Sequence, residues 1–154
     1  MALFLVQHGK SLPKEKDPDQ SLSRQGIEET QAMAKMAFDQ YVQVSRIIHS
    51  GKKRALQTAE IFMKVLEPEA GISKESGLAP LDDVSIFASS TVNSDENIMV
   101  VGHLPFLERL VSYLVAGAPE SPVIKFHNSA IVCLDIDDAS ESWFIRWALF
   151  PQFD

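Results

Sequence analysis

Three short polar segments, His8-Gly9, Ser50-Gly51-Lys52-Lys53-Arg54 and Gly102-His103, each stand directly behind an apolar run. A neutral imidazole is a competent nucleophile toward phosphorus, and a second imidazole can stabilise charge on the group in transfer. Arginine adds a planar fork that matches two phosphate oxygens. Phosphoryl transfer has a loose transition state with charge spread over the equatorial oxygens, so clamping and positioning supply most of the catalysis. His8, His103 and Arg54, if brought together, suit a tetrahedral dianion. Nothing in the sequence demands a metal: it has no His, Asp and Glu cluster at zinc spacing, no Gly-rich phosphate loop followed by Lys and Ser or Thr, and no Gly-x-Ser-x-Gly elbow.

The elements that must position these groups are legible in outline. Short apolar runs alternate with segments of helical period, the pattern of parallel strands joined by crossover helices, and the class is α/β. A first strand is expected over Leu3 to Val6, a helix over Arg24 to Tyr41, a second strand over Arg46 to His49 and a helix over Ala55 to Leu66. Ser23 is placed to cap the first helix, whose Ile27, Ala34, Ala37 and Tyr41 recur at helical spacing. A third strand, Ile98 to Val101, leads through Gly102-His103 to Pro105 and a helix ending near Val115. Ile131 to Ile136 and Trp143 to Leu149 read as a C-terminal hairpin at one side of the sheet, with Trp143, Phe144 and Trp147 covering the core. Between Glu67 and Asn97 only a helix near Val84 to Ser89 is predicted. In an open α/β sheet ligands bind beyond the carboxyl ends of the strands, where helix N-termini also point, and the three polar segments fall there.

Composition narrows the partners. The 154 residues are 45% hydrophobic and 23% charged, which fits one domain over residues 1–154 with one core. No apolar run approaches the ~18 residues that span a bilayer, and the N-terminal apolar run has no charged leader, so it reads as a buried strand. Fourteen basic residues against twenty-one acidic ones give a net charge of −7, which argues against nucleic acid and anionic membranes as partners. An anionic substrate must then be held by a local cluster, for which Lys10, Arg24, Lys52, Lys53 and Arg54 are the supply. The single cysteine, Cys133, lies in an apolar run where packing is its role, and the cytoplasm is the expected compartment. Of the other histidines, His49 reads as structural. His127 sits near a strand start, with pocket rim, packing and solvent exposure all open.

Five segments, in order, carry a family resemblance. Leu5-Val6-Gln7-His8-Gly9 is similar to the Arg-His-Gly signature that ends the first strand of the histidine phosphatase superfamily, with Gln7 in place of arginine. Leu22-Ser23-Arg24-Gln25-Gly26 resembles that family's Leu-Thr-x-x-Gly, and Ser50 to Ala59 resembles the Ser-Pro-x-x-Arg-Ala-x-Gln-Thr-Ala of its SixA-type branch. Val101-Gly102-His103-Leu104-Pro105 and Ser129-Ala130-Ile131 resemble the later motifs of the same branch.

The resemblance implies a three-layer, phosphoglycerate mutase-like fold with a mostly parallel sheet, helices on both faces and a C-terminal antiparallel hairpin. It implies hydrolysis without a cofactor through a phosphorylated His8, with Arg54 and His103 as catalytic partners and Gln7, Gly9, Lys10, Arg24 and Lys52 as candidate phosphate contacts. Larger relatives take a proton-donating acid from an inserted region, for which this chain offers only Asp82 and Asp83. A minimal site without a strong donor favours phosphohistidine on a protein, because protonated imidazole leaves readily from a phosphoramidate. Inorganic phosphate would be the product. A small phosphorylated metabolite as substrate and, because of Gln7, a phosphate-binding module without turnover remain the competing readings.

Overall fold

The computed structural model describes residues 1–91 and 94–152. Its elements are β1 (Ala2–Gln7), α1 (Arg24–Asp39), β2 (Arg46–His49), α2 (Lys53–Leu66), β3 (Ile72–Lys74), α3 (Val84–Thr91), β4 (Ile98–Gly102), α4 (Phe106–Ala116), β5 (Ile131–Asp137) and β6 (Ser142–Leu149). The strands form one sheet in the order β3-β2-β4-β1-β5-β6. β3, β2, β4 and β1 run parallel, while β5 is antiparallel to β1 and pairs with β6 as the expected hairpin.

Alternation along the strands divides the interior into two layers rather than one core. Leu3, Leu5, Ile98, Val100, Val132 and Leu134 face α3 and α4, where they meet Phe87, Phe106 and Leu110. Phe4, Val6, Met99, Val101, Ile131 and Cys133 face α1 and α2, against Met33, Ala37 and Phe62. Burial pushes the Cys133 thiol up to about 11, in keeping with a packing role. A bulge shifts the β5–β6 register between Cys133 and Leu134, so that Trp147 packs with the second layer and Trp143 with the first. One hairpin thereby covers both faces of the sheet, although Phe144 stays 41% exposed.

Ser23 caps α1 as the sequence predicts, accepting the Gly26 N–H at 3.0 Å. The buried face of that helix holds the expected Ala34 and Ala37 together with Gly26, Thr30 and Met33, while the expected Ile27 is 37% exposed and Tyr41 lies beyond the helix at 89%. The reason is a close approach. A Cβ on Gly26 would stand 2.0 Å from the Lys10 carbonyl oxygen, so the glycine lets α1 press against the loop behind β1 and sets which side of the helix turns inward. β3, absent from the sequence reading, is an edge strand of three residues with a single apolar side chain, too short to show a period. No helix among the described residues is long and apolar enough to cross a membrane.

Candidate active site

The site stands at the carboxyl ends of β1, β2 and β4. His8 follows β1, and its N–H donates to the Gly102 carbonyl at 3.0 Å, carrying the β1–β4 ladder one residue past the strand. Asn128 donates its side-chain amide to the His8 carbonyl at 3.0 Å, and Ser129 N–H donates to the Gln7 carbonyl at 2.9 Å. Gly9 N–H donates to Thr58 Oγ1 at 2.9 Å, while that hydroxyl donates to the Arg54 carbonyl at 2.8 Å. The loop behind β1 is thus fastened directly to the first turn of α2, which carries Arg54. Glycine is required at position 9, where a Cβ would stand 2.6 Å from Thr30 Oγ1.

The ring of His8 is oriented by its own neighbour. Nδ1 lies 2.8 Å from the Gly9 carbonyl, which can only accept, so Nδ1 carries the proton and Nε2 presents a lone pair. Arg54 Nε faces that nitrogen at 3.4 Å, and the His103 ring centroid is 5.0 Å from that of His8 with the planes at 50°. Burial lowers the His8 pKa below the ordinary histidine value, the Gly9 contact partly offsets this, and the Arg54 charge lowers it further. His103 is 2% exposed, and burial, followed by the charges of His8, Arg54 and Lys52, pushes its pKa down to about 3. Its Nε2 shares a hydrogen bond with Ser50 Oγ at 2.5 Å, and its buried Nδ1 has no hydrogen-bond partner among the described residues. Burial also pulls Arg54 down from its usual value, though a guanidinium stays charged in proteins. The arrangement is therefore a neutral imidazole nucleophile beside a cation and a second neutral imidazole. Lys52 begins α2 without a side-chain cap, which leaves that helix N-terminus open toward the same region.

The other expected contacts divide. Gln7 is 9% exposed, and its buried Oε1 has no hydrogen-bond partner among the described residues. Lys52 is exposed, but its charge is felt at His103. Lys10 instead donates to Gln25 Oε1 at 3.2 Å. The structure does not bring Arg24 into the group: its side chain is 93% exposed and pairs with Glu28 one helical turn on, at 3.1 Å. Asp82 accepts the Ala79 N–H in its own turn, and Asp83 accepts from the Ser85 hydroxyl and N–H at the start of α3. Those bonds hold Asp83 below the usual carboxylate range, which makes it a poor proton donor, and neither carboxylate contacts His8, Arg54 or His103. His49 is buried, with Nδ1 accepting the Gly51 N–H at 3.1 Å, in accord with its structural reading. His127 is exposed and meets Phe150 edge-on at 5.6 Å. Ser50, Thr58 and Ser129 stood inside the motifs without an assigned role, and Asn128 gave no sequence signal at all.

The lowered histidines have a consequence for stability. The fold lowers the pKa of His8, His49 and His103 and so favours their neutral forms, whereas an unfolded chain protonates them below about pH 6.5. The unfolded state then binds more protons, so their contribution is full above about pH 6.5 and is lost as pH falls through the folded values. Asp17, Asp83 and Asp137, also lowered, add to the loss only below about pH 4. Urea unfolding should show lower stability at pH 5 than at pH 7, with a smaller drop in His103→Gln. A flat profile between those pH values would mean that the imidazoles are not held neutral.

Comparison with known proteins bears on the family and the fold. The family model described as the histidine phosphatase superfamily (branch 1) matches residues 3–82. The phosphohistidine phosphatase SixA of Escherichia coli K12 is 28% identical over 98% of this chain and 94% of its own. A solved structure of the protein histidine phosphatase SixA complexed with tungstate superposes with a TM-score of 0.83 at 28% identity, covering 97% of this chain and 96% of that one. The phosphoserine phosphatase of Entamoeba histolytica in complex with 3-phosphoglyceric acid, 15% identical over 98% of both chains with a TM-score of 0.72, shares the fold.

Proposed function

Because the chain belongs to the histidine phosphatase superfamily, we propose that it is a phosphatase that removes the phosphoryl group from phosphohistidine on a protein, through a phosphorylated His8. The observation that carries this reading is the orientation of His8, whose Nδ1–H is committed to the Gly9 carbonyl while Nε2 faces Arg54. In the first step the His8 Nε2–P bond forms as the P–N bond to the substrate imidazole breaks. That imidazole already carries a proton on its distal nitrogen and departs neutral. In the second step water attacks phosphorus, the Nε2–P bond breaks with its electrons returning to Nε2, and the water proton leaves with inorganic phosphate or bulk water. Arg54, the open N-terminus of α2 and His103, which an incoming dianion would favour in its protonated form, stabilise the charge on the equatorial oxygens.

Substrate choice follows from proton supply. A phosphomonoester leaves as an alkoxide and needs a donor, and Asp82 and Asp83 are engaged elsewhere. A phosphoramidate needs none. Gln7 favours a second reading, a module that binds phosphate without transferring it, since a neutral amide stands where the family has arginine. Rapid acid-free quenching of the protein mixed with a phosphohistidine peptide separates the two. The phosphatase reading expects acid-labile phosphate mapped by mass spectrometry to His8, with free phosphate accumulating. Binding without either signal would select the module.

A further inference from the structure

Four exposed lysines line the carboxyl edge of the sheet. Lys10 follows β1, Lys52 and Lys53 open α2 behind β2, and Lys74 ends β3. Among the described residues none of the four is in an ion pair, as is also true of Lys14, Lys16, Lys64 and Lys125, whereas Arg24, Lys35, Arg46, Arg109 and Arg146 all are. Glu75, beside Lys74, is taken by Arg46. Asp17 is the carboxylate whose charge meets Lys53, and its oxygens already accept from Ser21 and Asp19. Lys74 lies along the loop behind β2, since a Cβ on Gly51 would stand 2.5 Å from Lys74 Cε.

The row is wider than one phosphoryl group. Between Lys74 on β3 and Lys10 behind β1 lie β2 and β4, so three strand spacings separate the ends, about 14 Å at ~4.8 Å each. It is also a local concentration of positive charge in a chain of net charge −7. Resting on the phosphohistidine phosphatase reading, we propose that Lys10, Lys52, Lys53 and Lys74 form a docking row for an acidic surface of the substrate protein, turning its phosphohistidine toward His8.

Two peptides test this, one with phosphohistidine flanked by glutamates and one with it flanked by serines. At low salt the glutamate peptide should be turned over with a kcat/KM roughly ten-fold higher, and the advantage should fade as salt rises. Lys53→Gln combined with Lys74→Gln, which removes the charges and keeps most of the side-chain length, should remove that preference. Arginine at both positions should restore it. No preference, or a preference indifferent to these substitutions, would overturn the docking row. If neither peptide is turned over, the phosphatase reading fails separately, and anisotropy binding of a labelled glutamate peptide still decides the row by the same substitutions. Binding of duplex DNA or phosphatidylserine vesicles with equal dependence on Lys53 and Lys74 would overturn the choice of an acidic protein partner.

Discussion

His8→Ala should cut turnover of phosphohistidine by roughly 10,000-fold or more, the scale seen when a covalent nucleophile is removed. The variant should keep its fold, because the backbone N–H and carbonyl of residue 8, bonded to Gly102 and Asn128, are untouched by the change. Acid-labile phosphate on the protein should disappear with the activity. His103→Ala is the useful companion: it removes charge stabilisation but no covalent site, so labelled His8 should still form, slowly. Stopped-flow and quench measurements on the two variants check the assignment together. Full turnover in His8→Ala would mean that another group attacks phosphorus.

Gln7→Arg should raise the rate by roughly 100- to 1,000-fold, about 3 to 4 kcal/mol of transition-state stabilisation, by analogy with restoring one donor to an oxyanion site. Gln7 ends β1 immediately before the nucleophile, is nine-tenths buried, and holds an unpartnered Oε1 there. An amide offers a neutral donor; a guanidinium offers a fixed fork and a full charge. The measurement is kcat with a phosphohistidine peptide in both proteins. If the native protein is already fast and gains nothing, the missing charge is supplied from elsewhere. Lys52 comes ahead of Lys10 and Arg24 for that role, because its charge acts on His103 while the other two engage Gln25 and Glu28. Lys52→Ala would then slow the native enzyme sharply.

The strands and helices that carry His8, Arg54 and His103 were legible because each is announced by an apolar run followed at once by polar or glycine residues. Their convergence follows from topology, since β1, β2 and β4 are parallel neighbours and end on the same side. What the sequence hid is mostly direction. Arg24 stands at a helix start beside the site, as expected, yet its side chain follows the exposed face toward Glu28. The inward stripe of α1 includes the expected Ala34 and Ala37, but Gly26 and Thr30, rather than Ile27, occupy its first turns against the Lys10 loop. Asn128 and Thr58 each hold the segment behind β1 by one hydrogen bond to backbone 120 and 49 positions away, and no local pattern records such a bond.

β1 is buried along its whole length and paired on both sides, and the amide of His8 is bonded to the same neighbour. Amides so enclosed exchange with solvent only through large-scale opening, whereas the turn behind β3 follows an edge strand and opens more cheaply. The nucleophile and the surface that meets the substrate therefore belong to different tiers of stability. Sequence drift in the outer tier can retarget the molecule without moving its chemistry. The converse does not hold, since whatever loosens β1 unfolds both layers at once.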